Sequence, residues 1–111
     1  MSELLYLIAD IGATHARFQC CELDDRVGPL LIGEPLMLAT QDFSDVDALL
    51  AVVNTHWPDS RFARALIAVA GPVDLNSGDV TVLNTGLLLS RGALETGFGC
   101  PVICVNDFYA Q

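Results

Sequence analysis

Leu4-Leu5-Tyr6-Leu7-Ile8-Ala9-Asp10-Ile11-Gly12-Ala13-Thr14-His15-Ala16-Arg17-Phe18-Gln19-Cys20 decides how the rest of the chain is read. Leu4 to Ile11 is an almost unbroken apolar run, too short for a good helix and closed by Gly12. Such a run predicts a buried strand. Thr14 to Leu23 reads as a second strand, with Ala16, Phe18 and Cys20 alternating against Arg17 and Gln19. Only the Gly12-Ala13 turn separates the two, so they form a hairpin. Asp24 to Pro29 is a further turn, and Leu30 to Ala39 returns as a third strand. Pro35 inside it marks an edge strand or a bulge, because proline cannot donate to a ladder. The opening is therefore a three-strand antiparallel meander.

Beyond Ala39 the apolar period changes. Val46, Leu49, Leu50, Val53 and Trp57 share one helical face. Ser44 is the expected N-cap, Asp45 and Asp47 suit the positive helix end, and Pro58 is the stop. Arg64 to Ala70 is a second buried strand, ended by Gly71-Pro72, and Asp79 to Asn84 is a short alternating strand. Ser90 caps a short helix to about Thr96, which Gly97 and Gly99 end. Val102 to Val105 is the last buried strand and runs into Asn106-Asp107-Phe108. Strand, helix and strand in succession imply a right-handed parallel crossover. The strands ending at Asp10, Gly71 and Asn106 then lie parallel, with their carboxyl ends along one edge, where sheets of this class bind ligands. The expected fold is α/β, the meander followed by parallel βαβ crossovers.

The composition narrows the chemistry. With 14 acidic and 5 basic residues in 111, the net charge is -9. The five basic residues are scattered arginines (Arg17, Arg26, Arg61, Arg64, Arg91), whereas nucleic acid and anionic membranes need clustered positive charge. No apolar run approaches the roughly 20 residues of a spanning helix. Met1-Ser2-Glu3 lacks the basic region of a signal peptide, so a cytoplasmic location is expected. Cys20, Cys21, Cys100 and Cys104 form no Cys-x-x-Cys pair and read as buried, reduced thiols rather than a zinc or disulfide framework.

Three strand tips carry candidate chemistry. Asp10, at the end of a buried strand, can hold a cation or its water shell. Gly12 lets backbone N–H groups approach a phosphate, Thr14 adds a hydroxyl, and Arg17 is a candidate phosphate partner. An ordinary hairpin turn accounts for the same residues. Gly71 admits close approach by a ligand or by another part of the chain. At the third tip, Asn106 could bind hydroxyls and Asp107 could accept a hydroxyl proton, since a carboxyl with an ordinary pKa of about 3.9 is ionised at neutral pH. Asp107 could equally cap a following helix. His15 sits in the first tip as a solvated turn residue, and His56 suits a helix C-terminus.

Together these segments resemble a known family. Leu7 to Phe18 resembles the first phosphate motif of bacterial glucokinases, usually Asp-x-Gly-Gly-Thr-Asn-x-Arg. Ala68-Val69-Ala70-Gly71-Pro72-Val73 resembles their Ala-x-Ala-Gly-Pro-Val segment, and Val105-Asn106-Asp107-Phe108-Tyr109-Ala110 their Asn-Asp-Phe-x-Ala segment. The resemblance implies an actin-like, ribonuclease-H-like ATPase domain that transfers the γ-phosphoryl of ATP to the 6-hydroxyl of glucose or a related hexose with magnesium (Mg2+). It makes Asp107 the base and Asn106, Asn84 and Gly71 the sugar side. It makes Asp10 the organiser of magnesium and water, with Gly12, Ala13, Thr14 and Arg17 at the phosphates. The sequence departs from the pattern at three places. Ala13 stands for the second glycine, His15 for the asparagine, and Leu83-Asn84-Thr85-Gly86-Leu87 for Thr-Asn-x-x-Trp, so that Asn84 alone is kept.

Family kinases are considerably longer and have two such domains. The resemblance therefore implies that residues 1–111 are an N-terminal part, inactive alone, with the second domain and its glycine-rich nucleotide motif outside this chain. A surface left uncovered would favour self-association, for example as a homodimer. The rival readings are a non-catalytic sugar-binding regulator or pseudokinase, and a free-standing protein-interaction module.

Overall fold

A computed structural model describes residues 5–24, 26, 28–57, 62–83 and 85–106. Strand β1 (Leu5–Ile11) puts Leu7, Ala9 and Ile11 on one face, all essentially inaccessible to solvent. This is the period-two consequence of an extended chain. β1 pairs antiparallel with β2 (His15–Asp24), which pairs antiparallel with β3 (Gly28–Ala39). A 3-10 turn (Thr40–Asp42) leads to α1 (Val46–His56). β4 (Phe62–Val69) returns parallel to β1. The short β5 (Val80–Thr81) and β6 (Leu88–Leu89) pair with each other, and α2 (Arg91–Phe98) precedes β7 (Val102–Asn106), parallel to β4. The main sheet runs β3-β2-β1-β4-β7, a mixed sheet in an α/β domain.

Both helices cover the same face. Val46, Leu49, Leu50 and Val53 of α1 and Leu94 and Phe98 of α2 pack with Leu7, Ile11, Phe18, Ile67, Val69 and Val102 of the sheet in one core. The opposite face is apolar too. Ile8, Leu66, Ile103 and Val105 lie there, 37 to 51 % exposed, and Ile8, Leu66, Ile103, Cys21 and Leu23 line a shallow groove of about 260 Å³. Parallel strands normally bury both faces, and here only one is covered by the described residues. Adjacent Cys20 and Cys21 point to the two faces, Cys20 into the core under the helices and Cys21 into this groove. All four cysteines are free thiols.

Several local expectations change in the folded chain. The N-cap of α1 is Asp45, not Ser44: its carboxylate accepts from the Ala48 N–H at 2.8 Å. Pro58, read as the stop of that helix, lies outside the described residues. α2 runs through Gly97 to Phe98 and ends at Gly99, whose φ of 69° is left-handed. Leu50 fills the space where a side chain at position 97 would stand, so Gly97 serves helix packing, not termination. The strand expected over Asp79 to Asn84 is only Val80–Thr81. Gln19, a polar position of the alternation in β2, is buried. Opposite it β3 has a bulge: Phe18 pairs with Leu36 but Cys20 with Ile32. The Gln19 Nε2 donates to the Ile32 and Cys20 carbonyls, both at 3.2 Å. Pro35 sits in that bulge on an edge strand, where a missing N–H costs no ladder bond.

Candidate active site at one sheet edge

β1, β4 and β7 end level. Ile11 is in register with Val69, and Val69 with Asn106. The segments that leave these strands therefore emerge at one edge of the sheet, the edge at which parallel α/β sheets hold ligands. Asn106 is exposed there as the last residue of β7. Asp10 is one position short of the end of β1, exposed, and on the face away from the helices. Arg17 is its direct partner across the β1–β2 ladder and is also exposed. Opposed residues of an antiparallel pair share a face, so a carboxylate and a guanidinium flank the same turn.

That turn, Gly12-Ala13-Thr14, is tightly tied. The Gly12 N–H donates to the His15 carbonyl at 2.9 Å, and the Ala70 N–H donates to the Ile11 carbonyl at 2.9 Å. Thr40, just past β3, donates its hydroxyl to the Gly12 carbonyl at 2.7 Å and its N–H to the Thr14 carbonyl at 3.0 Å. Gly12 is buried, Ala13 half-buried, and Thr14 and His15 exposed. Nothing in the local sequence around Thr40 marks it, because its partners lie 28 and 26 residues away.

At the second tip Gly71 is buried. A Cβ there would overlap the Thr81 carbonyl oxygen of β5, so the close approach that the glycine permits is made by the chain itself. The Leu83 N–H donates to the Ala70 carbonyl at 2.9 Å, which brings the turn after β5 beside this tip. Asn84 and Asp107 lie outside the described residues.

No group of three or more His, Cys, Asp or Glu side chains capable of holding a metal occurs among the described residues. Magnesium at phosphoryl-transfer sites does not need one. It takes one or two carboxylates and fills its octahedron with water and phosphate oxygens, and the exposed Asp10 carboxylate suits that donor set.

The glucokinase family profile matches residues 7–111. The chain belongs to the glucokinase family. Glucokinase from Caulobacter vibrioides is 35 % identical over 112 aligned residues, covering 96 % of this chain and 31 % of the relative. The chain thus spans less than a third of the length of that glucokinase. Among solved structures, a glucokinase from an Antarctic psychrotroph aligns over 94 % of this chain and 32 % of its own at 27 % identity, with a TM-score of 0.77. Glucokinase from Balamuthia mandrillaris, solved in complex with glucose, shares the fold at 19 % identity and a TM-score of 0.71, over 95 % of this chain and 30 % of its own. The glucokinase fold is thus present here, with the β1–β2 turn and the ends of β4 and β7 along one edge of the sheet. No helix among the described residues is long and apolar enough to cross a membrane.

Proposed function

We propose that this chain is one lobe of a glucokinase that moves the γ-phosphoryl of ATP to the 6-hydroxyl of glucose. The observation that carries the reading is the level ending of β1, β4 and β7, which sets the Asp10 turn and Asn106 on one edge. Phosphoryl transfer asks the protein for positioning and charge neutralisation rather than covalent chemistry, and these residues supply both. Ala13 and Thr14 line the phosphates from the turn, and Arg17 adds positive charge. Asp10 holds magnesium, directly or through water, and the ion neutralises charge on the phosphates when bound. Gly71 keeps the second tip close to β5, and Asn84 and Asn106 bind sugar hydroxyls. Asp107 takes the proton of the 6-hydroxyl as that oxygen bonds to the γ-phosphorus and the bond to the β–γ bridging oxygen breaks, leaving ADP. The remaining two-thirds of the relatives' length supplies the other wall of the cleft, so the 111 residues alone turn over no substrate. The acidic surface and the soluble chemistry of both substrates suit the cytoplasm.

A coupled ADP-release assay on the complete polypeptide carrying this sequence, with ATP, magnesium and a panel of hexoses, tests the reading. Glucose-dependent release that falls by about 10²–10⁴-fold in Asp107→Asn, with glucose affinity kept, is the expected result. Sugar binding with no release from any hexose would replace the kinase with a regulator.

A further inference from the structure

Gln19 and Thr40 are the buried polar side chains among the described residues. The bulge in β3 accounts for Gln19. Thr40, 1 % exposed, has no such local reason, and both of its donors go to the Gly12–Thr14 turn. A peptide unit is planar and trans, so the carbonyl of one residue and the N–H of the next point in opposite directions. Drawing the Gly12 carbonyl inward onto the Thr40 hydroxyl therefore turns the Ala13 N–H away from the interior. Neither the Ala13 nor the Thr14 N–H has a protein partner among the described residues. Two successive unpaired amides at an exposed turn suit an anion.

We propose that Thr40, through its hydroxyl bond to the Gly12 carbonyl, is a positioning residue that holds the Ala13 amide toward a phosphate group of the substrate. The assignment rests on the phosphate-loop reading above and deepens it. Without the hydroxyl, the Gly12 carbonyl is left buried and unpaired. The Gly12–Ala13 peptide then gains by rotating its oxygen toward water, which swings the Ala13 N–H off the phosphate. Alanine at position 13 has fewer backbone conformations open to it than glycine, and Thr40 selects the one that presents the amide.

The test is a titration of the complete polypeptide carrying this sequence, ¹⁵N-labelled at alanine and threonine, with inorganic pyrophosphate, followed by NMR at the Ala13 and Thr14 amides, for wild type, Thr40→Ser and Thr40→Val. Saturable shifts at both amides are expected in the wild type. Affinity within about twofold in Thr40→Ser and about tenfold weaker in Thr40→Val would support the assignment, because only the hydroxyl distinguishes the two responses. If Thr40→Val does not fold, Thr40→Cys, whose thiol is a weaker donor, takes its place with an intermediate loss expected. Equal affinity in the wild type and the hydroxyl-free variant, or equal loss in Thr40→Ser, overturns the role of Thr40 alone. A wild type whose Ala13 and Thr14 amides ignore pyrophosphate overturns the phosphate-loop reading and the Thr40 assignment with it.

Discussion

Gly71 shows how one missing side chain can be a packing requirement. A Cβ at this position would meet the Thr81 carbonyl oxygen, with the Thr81 carbonyl carbon at 3.0 Å and the Val82 Cα at 3.3 Å. All three are backbone atoms, which cannot step aside as the tip of a flexible side chain can. Overpacking of this kind costs about 1–3 kcal/mol or more. Gly71→Ala should therefore lose at least about 2 kcal/mol in a urea titration; a loss within experimental error would mean that β5 moves freely. The thiols make a second case. Burial pushes the Cys104 thiol up to about 11 from 9.0; Arg91 pulls it down, while Asp79 and Glu95 push it up. Burial also raises Cys20, Cys21 and Cys100. A raised thiol binds its proton more tightly in the folded state. This contribution is therefore complete below pH 9 and is lost as pH rises from 9 towards 11. The urea midpoint should fall over that range in the wild type and fall less in Cys104→Ala.

At the scale of elements, α1 and β3 separate what local pattern reveals from what it misses. The apolar spacing of Val46, Leu49, Leu50 and Val53 identifies the helix and its buried face without any tertiary knowledge. Which of two adjacent capping residues closes it is decided by backbone geometry. Asp45, with φ of -148° and ψ of 166°, carries the cap. Asp45→Ala should cost about 1 kcal/mol of stability and Ser44→Ala a few tenths at most, measured by thermal unfolding. Equal losses would place the cap elsewhere. In β3 the proline signal at Pro35 correctly marks both an edge and a bulge. The bulge's consequence for β2 was not legible, because the carbonyls that hold Gln19 include Ile32 and Gly33, 13 and 14 residues away.

Among the described residues, one face of the sheet is covered and the other is open. Ile8, Leu66 and Ile103 line the groove on the open side, and Val105 is a further exposed apolar residue of β7. A surface of that kind drives association in water. The 111-residue chain should bind a hydrophobic dye and self-associate at high concentration. Leu66→Glu combined with Ile103→Glu should suppress both while shifting stability by only about 1 kcal/mol, since both side chains are about half exposed. Light scattering that shows a monodisperse wild-type monomer with no dye binding would contradict this.

The residue pattern by itself determined the α/β class, the location of β1, β2, β3, α1, β4, α2 and β7, and the meeting of the Asp10 and Asn106 tips at one edge. Each of these follows from short-range periodicity and from the handedness of the crossover, which a linear chain displays. Only the tertiary structure decided that Gly71 is held by β5, that Gln19 and Thr40 are buried, and which sheet face the two helices cover. Those outcomes depend on groups far apart in the chain, as in the 28-residue span between Gly12 and Thr40. Hydrogen bonding and burial at that range leave no period in the sequence, because any small polar residue that reaches the buried carbonyl would satisfy it.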